Sequence, residues 1–182
     1  MKHRIMIEGA DTLGKTTAMD TARAKLQHKQ SGIAPSHRKM GLPEAEWSES
    51  DWLHWASRED SCFVDRGPLS EIIYGHVARG RAALSSPGFM LALGMLARAQ
   101  YRIVIVTAPS FVYGDILAKR YDASREAFDK PTILKVNNCY RRLATTGIFR
   151  DYEIPEWFLK NHVIHIDIKS VESFPSISDL IQ

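Results

Sequence analysis

The sequence predicts an α/β fold in which a five-stranded parallel sheet is covered by helices on both faces. Three observations predict it. Short apolar runs alternate with longer helical stretches along the whole chain, which is the pattern of strands buried on both faces. Turn residues are spread through the chain, with no repeat, low-complexity tract or long linker, so residues 1–182 read as one domain. At 182 residues and 45% hydrophobic content, the chain can bury one core of ordinary size.

Arg4 to Glu8 is a short apolar strand ending on Gly9. Thr16 to about Gln30 follows as a helix carrying Ala18, Met19, Ala22, Ala24 and Leu26. Ile33 to Met40 supplies a second strand, Asp51 to Glu59 a helix, and Cys62 to Asp65 a buried strand. Pro68, a residue favoured in a first helical turn, opens a helix to about Arg79. Phe89 to Gln100 reads as helix, Arg102 to Thr107 (RIVIVT) as a β-branched strand, Phe111 to Arg120 and Thr132 to Ala144 as helices, and His162 to Asp167 as the last strand. In such sheets ligands sit beyond the carboxyl ends of the strands, which directs attention to the residues after Glu8, Val64, Val106 and Ile166.

Composition excludes several classes of function. Against 21 acidic residues the 24 Lys plus Arg leave a formal charge of +3, far from the dense positive stripe of a dedicated nucleic-acid binder. Cys62 and Cys139 make neither a disulfide framework nor a metal-ligand spacing, and this favours a reducing compartment, the cytoplasm. The opening MKHRIMIEGAD is no secretory signal, and the most apolar later run, Phe89 to Ala97, is too short to cross a bilayer, so no membrane partner is expected. The seven histidines show no paired metal spacing; His162 and His165 belong with the last strand.

Gly9-Ala10-Asp11-Thr12-Leu13-Gly14-Lys15-Thr16 fits G-x-x-x-x-G-K-[ST] between a predicted strand and a predicted helix. The glycines allow successive backbone N–H groups to point at phosphate oxygens, the helix N-terminus adds its dipole, and Lys15 supplies an ammonium for the β- and γ-phosphates. Thr16 is placed to ligate Mg²⁺, and Asp65, at the end of a hydrophobic strand, is the carboxylate that would hold the ion or its water. Arg66 follows at the mouth of the same crevice. The phosphate loop, 9–17, thus predicts a P-loop NTPase fold with ATP and Mg²⁺ as cofactors, bound by Gly9, Asp11, Thr12, Gly14, Lys15, Thr16 and Thr17.

These residues resemble the thymidylate-kinase-like P-loop kinases. Ile7-Glu8-Gly9-Ala10-Asp11 followed by Gly14-Lys15-Thr16-Thr17 is similar to that family's F-E-G-x-D-x-x-G-K-[ST]-T. Asp65-Arg66, with Ser70 and Tyr74 after them, is similar to its D-R-Y-x-x-S-S-x-A-Y-Q. Val136, Tyr140, Leu143 and Ala144 echo its V-x-x-x-Y-x-x-L-A helix, and Ile166-Asp167 its last strand. The resemblance implies phosphoryl transfer from ATP to a nucleoside monophosphate, with an acceptor region at about 36–80. By it, Asp11 would contact the acceptor's 3′-hydroxyl and Arg66 its phosphate. Tyr74 would lie against a deoxy sugar, and Arg38 and Ser70 would belong to the acceptor side. Gly67 replaces the tyrosine of D-R-Y, and Gly75 replaces the glutamine after Tyr74. Gly75 either opens room for a larger or modified pyrimidine or eases close helix packing.

Phosphoryl transfer depends on positioning and charge neutralisation, so arginines are needed above the donor phosphates as well as beneath them. Arg120 and Arg125, in a polar stretch after the fourth strand, are the candidates for a short lid at about 119–130. The competing reading is a solvated helix face with i,i+4 pairing. Trp52, three residues from Trp55, could stack on the acceptor base or belong to a core stripe; Arg58 could bond a base edge.

The leading expectation is an ATP- and Mg²⁺-dependent deoxynucleoside monophosphate kinase acting on dTMP or a related, including 5-modified, pyrimidine. One alternative is a kinase of a deoxynucleoside, or of a hydroxymethylated pyrimidine within DNA, the only reading in which DNA is a partner. The other is a non-catalytic nucleotide-binding module. The sequence leaves a homodimer open.

Overall fold

Alternating side chains along β1 (Ile5–Gly9) are all buried, and this continuous burial places the strand inside a sheet. The computed structural model describes residues 4–29, 36–39, 47–57, 62–124 and 126–170. Five parallel strands form the main sheet: β1, β2 (Ser36–Lys39), β3 (Cys62–Asp65), β4 (Arg102–Thr107) and β7 (Val163–Asp167), in the order β2-β3-β1-β4-β7. Between them run α1 (Lys15–Lys29), α2 (Glu49–Ala56), α3 (Pro68–Ala78), α4 (Ser86–Arg98), α5 (Ser110–Arg120), α6 (Lys130–Thr146) and α7 (Glu156–His162), giving the expected helix-covered sheet. No helix among the described residues is long and apolar enough to cross a membrane.

The helix starts show where periodicity alone misreads a boundary. Helices α4 and α6 begin at Ser86 and Lys130, ahead of the expected Phe89 and Thr132, because Ser85 and Asp129 cap them and Pro87 and Pro131 occupy their first turns. The Ser85 hydroxyl accepts from the Gly88 N–H and the Asp129 carboxylate from the Thr132 N–H. Helix α2 likewise starts at Glu49, behind a capping box in which Ser48 and Asp51 satisfy each other's backbone N–H. Glu49 then accepts from the Ser85 N–H, 2.6 Å, and so ties α2 to the start of α4.

Three short elements lie outside the expected set. β5 (Ile148–Phe149) and β6 (Tyr152–Glu153) form an antiparallel hairpin, and α7 follows it. Two-residue strands have no periodicity to detect, and their turn is made by Arg150 at φ 54°. His162 accordingly ends α7 instead of opening the last strand.

Met6 and Glu8 share one face of β1, and α3 and α6 pack there. Gly67 lies close against this junction: a Cβ on it would lie 2.4 Å from the Met6 sulfur, so that side chain would have to shift. Gly75 answers a question the sequence leaves open. A Cβ there would lie 2.8 Å from the Ala82 Cα and from the Arg81 carbonyl oxygen, so the turn after α3 fills the space and the close-packing alternative is the one realised.

Candidate functional site

The parallel register of β1 with β3 sets Ile7 opposite Asp65, so the loop after β1 and the Asp65-Arg66 pair emerge side by side. Gly9 leaves the strand at φ 143°, where a Cβ would collide with the Val106 carbonyl oxygen at 2.4 Å. Thr12 (φ 64°) and Gly14 (φ 70°) also take left-handed backbone conformations, curling the loop ahead of α1. Lys15 is buried, and its ammonium donates back to the Ala10 carbonyl, 2.6 Å. Burial, and after it the charge of Arg66, lowers its pKa below the ordinary lysine value. Thr16 and Thr17 are exposed in the first turn of α1.

Thr16 donates its hydroxyl to Asp65 Oδ2 at 3.1 Å, and Asp65 Oδ1 is buried without a hydrogen-bond partner. A hydroxyl beside a carboxylate with a spare oxygen is a donor set suited to a hard divalent cation. Arg66, at φ 72°, is held by its N–H to the Ile7 carbonyl (2.9 Å) and by an ion pair between its Nη2 and Asp11. Its guanidinium lies over the Tyr74 ring, 4.5 Å from the centroid, and its Nη1 is buried with no partner. Burial works against the guanidinium's charge, but the Tyr74 and Asp11 surroundings outweigh it, and the pKa rises above its ordinary value. The Tyr74 hydroxyl donates to Asp11 Oδ2, 2.9 Å. Asp11, Arg66 and Tyr74 are therefore one assembly, beside the Thr16–Asp65 pair.

The remaining sequence-predicted residues lie elsewhere or differently. Ser70 is buried, and donates to Glu8 Oε2 in a network with Tyr140. Trp52 is 6% exposed and packs against Trp47 (4.9 Å) and Trp55 (6.0 Å) within the hydrophobic core. The core-stripe alternative is the arrangement seen. Arg38 lies in β2, in register with Val64, and Arg120 is the last residue of α5. Arg58 and Arg125 lie outside the described residues.

No protein-family model matches the chain, and no curated protein matches it by sequence. Solved structures match its fold. The YorR protein of Bacillus subtilis, in complex with phosphorylated GDP, matches with a TM-score of 0.64 and 17% identity over 96% of this chain and 90% of that one. Deoxyadenosine kinase from M. mycoides with bound dATP matches with a TM-score of 0.52 and 13% identity over 98% of this chain and 96% of that one. The chain has a P-loop NTPase fold.

Within this fold, the structure brings to the crevice residues to which sequence reasoning assigned no site role. The Tyr113 hydroxyl, from α5, donates to the Asp11 carbonyl at 2.6 Å. Phe128, just before α6, packs on the Tyr74 ring at 5.6 Å. Glu126 lies near enough to Asp11, Lys15 and Arg66 to feel their charges; burial first, then Asp11, raises its carboxyl's pKa. Tyr140 donates to Glu8 Oε2, 2.9 Å, and Asn137 brackets Ala108 by accepting from its N–H and donating to its carbonyl. A tyrosine on an apolar helix face, or a phenylalanine between helices, gives no sign in sequence of the residues it reaches.

Proposed function

We propose that the protein transfers the γ-phosphoryl group of ATP, with Mg²⁺, to a deoxynucleoside monophosphate: dTMP or a related pyrimidine deoxynucleotide, 5-modified bases included. The observation that carries this reading is Arg66, a buried guanidinium with one amino group unpartnered, next to the phosphate loop. A protein that only holds a nucleotide has no need of a second anion site there.

In this reading Lys15 leaves the Ala10 carbonyl to contact the donor's β- and γ-phosphates, while the loop amides cradle them. Thr16 and Asp65 would hold Mg²⁺, whose charge offsets that of the phosphates. Arg66 binds the acceptor phosphate through Nη1. Arg120 and Arg125, the lid candidates of the sequence, would add positive charge for the donor phosphates. An acceptor phosphate oxygen forms a bond to the γ-phosphorus, the bond from that phosphorus to the β,γ-bridging oxygen breaks, and ADP leaves with the electron pair. The deoxy preference and the pyrimidine rest on the likeness to thymidylate-kinase-like sequences. A deoxynucleoside acceptor is the second reading, favoured by the fold match to a deoxyadenosine kinase holding dATP.

The test is ADP release from Mg²⁺·ATP with each common nucleoside and nucleoside monophosphate, and with DNA containing hydroxymethylated pyrimidines. A pyrimidine deoxynucleoside monophosphate should give the fastest turnover, and Lys15→Ala and Asp65→Ala should lower it by at least about a hundredfold while remaining folded. Full activity in either variant would remove its assigned role; turnover confined to nucleosides would establish the second reading instead.

A further inference from the structure

Tyr74 is the side chain that the family resemblance sets against the acceptor sugar, yet it is 1% exposed. Arg66 covers its ring 4.5 Å from the centroid, Tyr140 meets it edge-on at 6.5 Å, and Phe128 packs on it at 5.6 Å with the rings tilted by 37°. Of these three, Arg66 and Tyr140 are buried and bonded into the site, to Asp11 and Glu8. Phe128 is partly exposed and comes from the stretch between α5 and α6. Phe128 is held in place by its neighbours. The Tyr121 hydroxyl donates to the Phe128 carbonyl at 3.2 Å, the Lys130 ammonium sits 5.1 Å above the Tyr121 ring, and Asp129 caps α6. Two residues earlier, Glu126 is within electrostatic reach of Asp11 and Arg66.

We propose that Phe128 is the side chain that meets the acceptor sugar and sets the preference for deoxy over ribo acceptors, with Tyr74 behind it as a positioning residue for Asp11. This rests on the crevice being an acceptor site, as argued above. Tyr74 is buried and Phe128 partly exposed, so of this pair Phe128 is the side chain that an acceptor bound at Asp11 and Arg66 would meet. An apolar ring at that place packs against a 2′-methylene, whereas a 2′-hydroxyl held against it loses water without gaining a hydrogen bond. The second half of the segment after α5, residues 126–130, would then border the acceptor, not the donor.

Steady-state kinetics of the full chain with Mg²⁺·ATP, comparing dUMP with UMP and dTMP, tests this, because dUMP and UMP differ only at the 2′ position. Phe128→Ala should raise the KM for dUMP about tenfold and narrow the dUMP-to-UMP ratio of kcat/KM by about tenfold, with the KM for ATP within about twofold of wild type. Phe128→Leu should restore most of the ratio. Tyr74→Phe, which keeps the ring and drops the hydroxyl, should lower kcat and leave the ratio unchanged. A folded Phe128→Ala protein with the wild-type ratio, or one whose ATP KM rises as much as its dUMP KM, overturns the inference alone. A wild-type chain that phosphorylates no nucleotide or nucleoside overturns the kinase reading, and this inference with it.

Discussion

Glu8 shows how a single residue links the sheet to the site. Its carboxyl has no exposed surface; Ser70 and Tyr140 both donate to Oε2, and Oε1 has no partner. Burial raises its pKa, outweighing the hydrogen bonds from Ser70 and Tyr140 and the charge of Arg66, which all lower it. In the unfolded chain this carboxyl gives up its proton near 4.5, whereas in the fold it keeps the proton to higher pH. Above about 4.5 the unfolded state therefore binds fewer protons, and stability is lost as pH rises through the folded value. Glu8→Gln cannot ionise and still offers one oxygen to Ser70 and Tyr140. Urea unfolding at a series of pH values should show wild type losing stability relative to Glu8→Gln as pH rises above the ordinary carboxylate range, until the gap levels off. Parallel curves for the two proteins would mean that Glu8 ionises in the fold as it does in the unfolded chain.

At the scale of elements, α3 is fixed at both ends by glycines that admit other parts of the chain. Gly67 lets Met6 and Glu8 approach its start, and Gly75 lets the Arg81–Ala82 turn lie against its second half. Gly75→Ala puts a methyl 2.8 Å from a backbone carbon and a carbonyl oxygen, neither of which can swing aside. The helix gains propensity from alanine, but overpacking of this kind costs about 1–3 kcal/mol and should win. Chemical unfolding should show the loss; a neutral or stabilised variant would mean that the turn yields easily and that Gly75 does leave usable room. The elements also show what the sequence made legible. β4 and β3 match their expected bounds because continuous apolar runs have no other use in a sheet buried on both faces. The loop from Gly9 to Thr16 and the Asp65-Arg66 pair were legible because each is a contiguous stretch at a strand end. Tyr113 reaches the Asp11 carbonyl across 102 residues and Tyr140 reaches Glu8 across 132, and no local pattern encodes such a meeting. Trp52 was ambiguous for a related reason: a helical stripe of aromatics reads alike whether it faces a ligand or, as here, the core.

For the whole molecule, the sheet order puts β1 between β3 and β4, so one nucleotide bound at the carboxyl ends would touch the loop after β1, the first turn of α1 and the end of β3 together. A ligand that binds only the folded state stabilises it by RT ln(1 + [L]/Kd), about 2.7 kcal/mol at a hundred times Kd. For a chain of this size each kcal/mol raises Tm by about 2–4 °C, so saturating Mg²⁺·ATP should raise it by roughly 5–10 °C. Lys15→Ala removes the ammonium that the phosphates would attract. The side chain it removes donates to the Ala10 carbonyl and is disfavoured as a cation by burial. Its own Tm should therefore stay near that of wild type while the ATP-induced rise disappears. Asp65→Asn keeps an oxygen for Thr16 but loses the negative charge, so its rise should shrink to what ATP gives wild type with Mg²⁺ chelated by EDTA. Equal rises in all three proteins would place the nucleotide away from this loop and detach the fold's most distinctive motif from its assigned ligand.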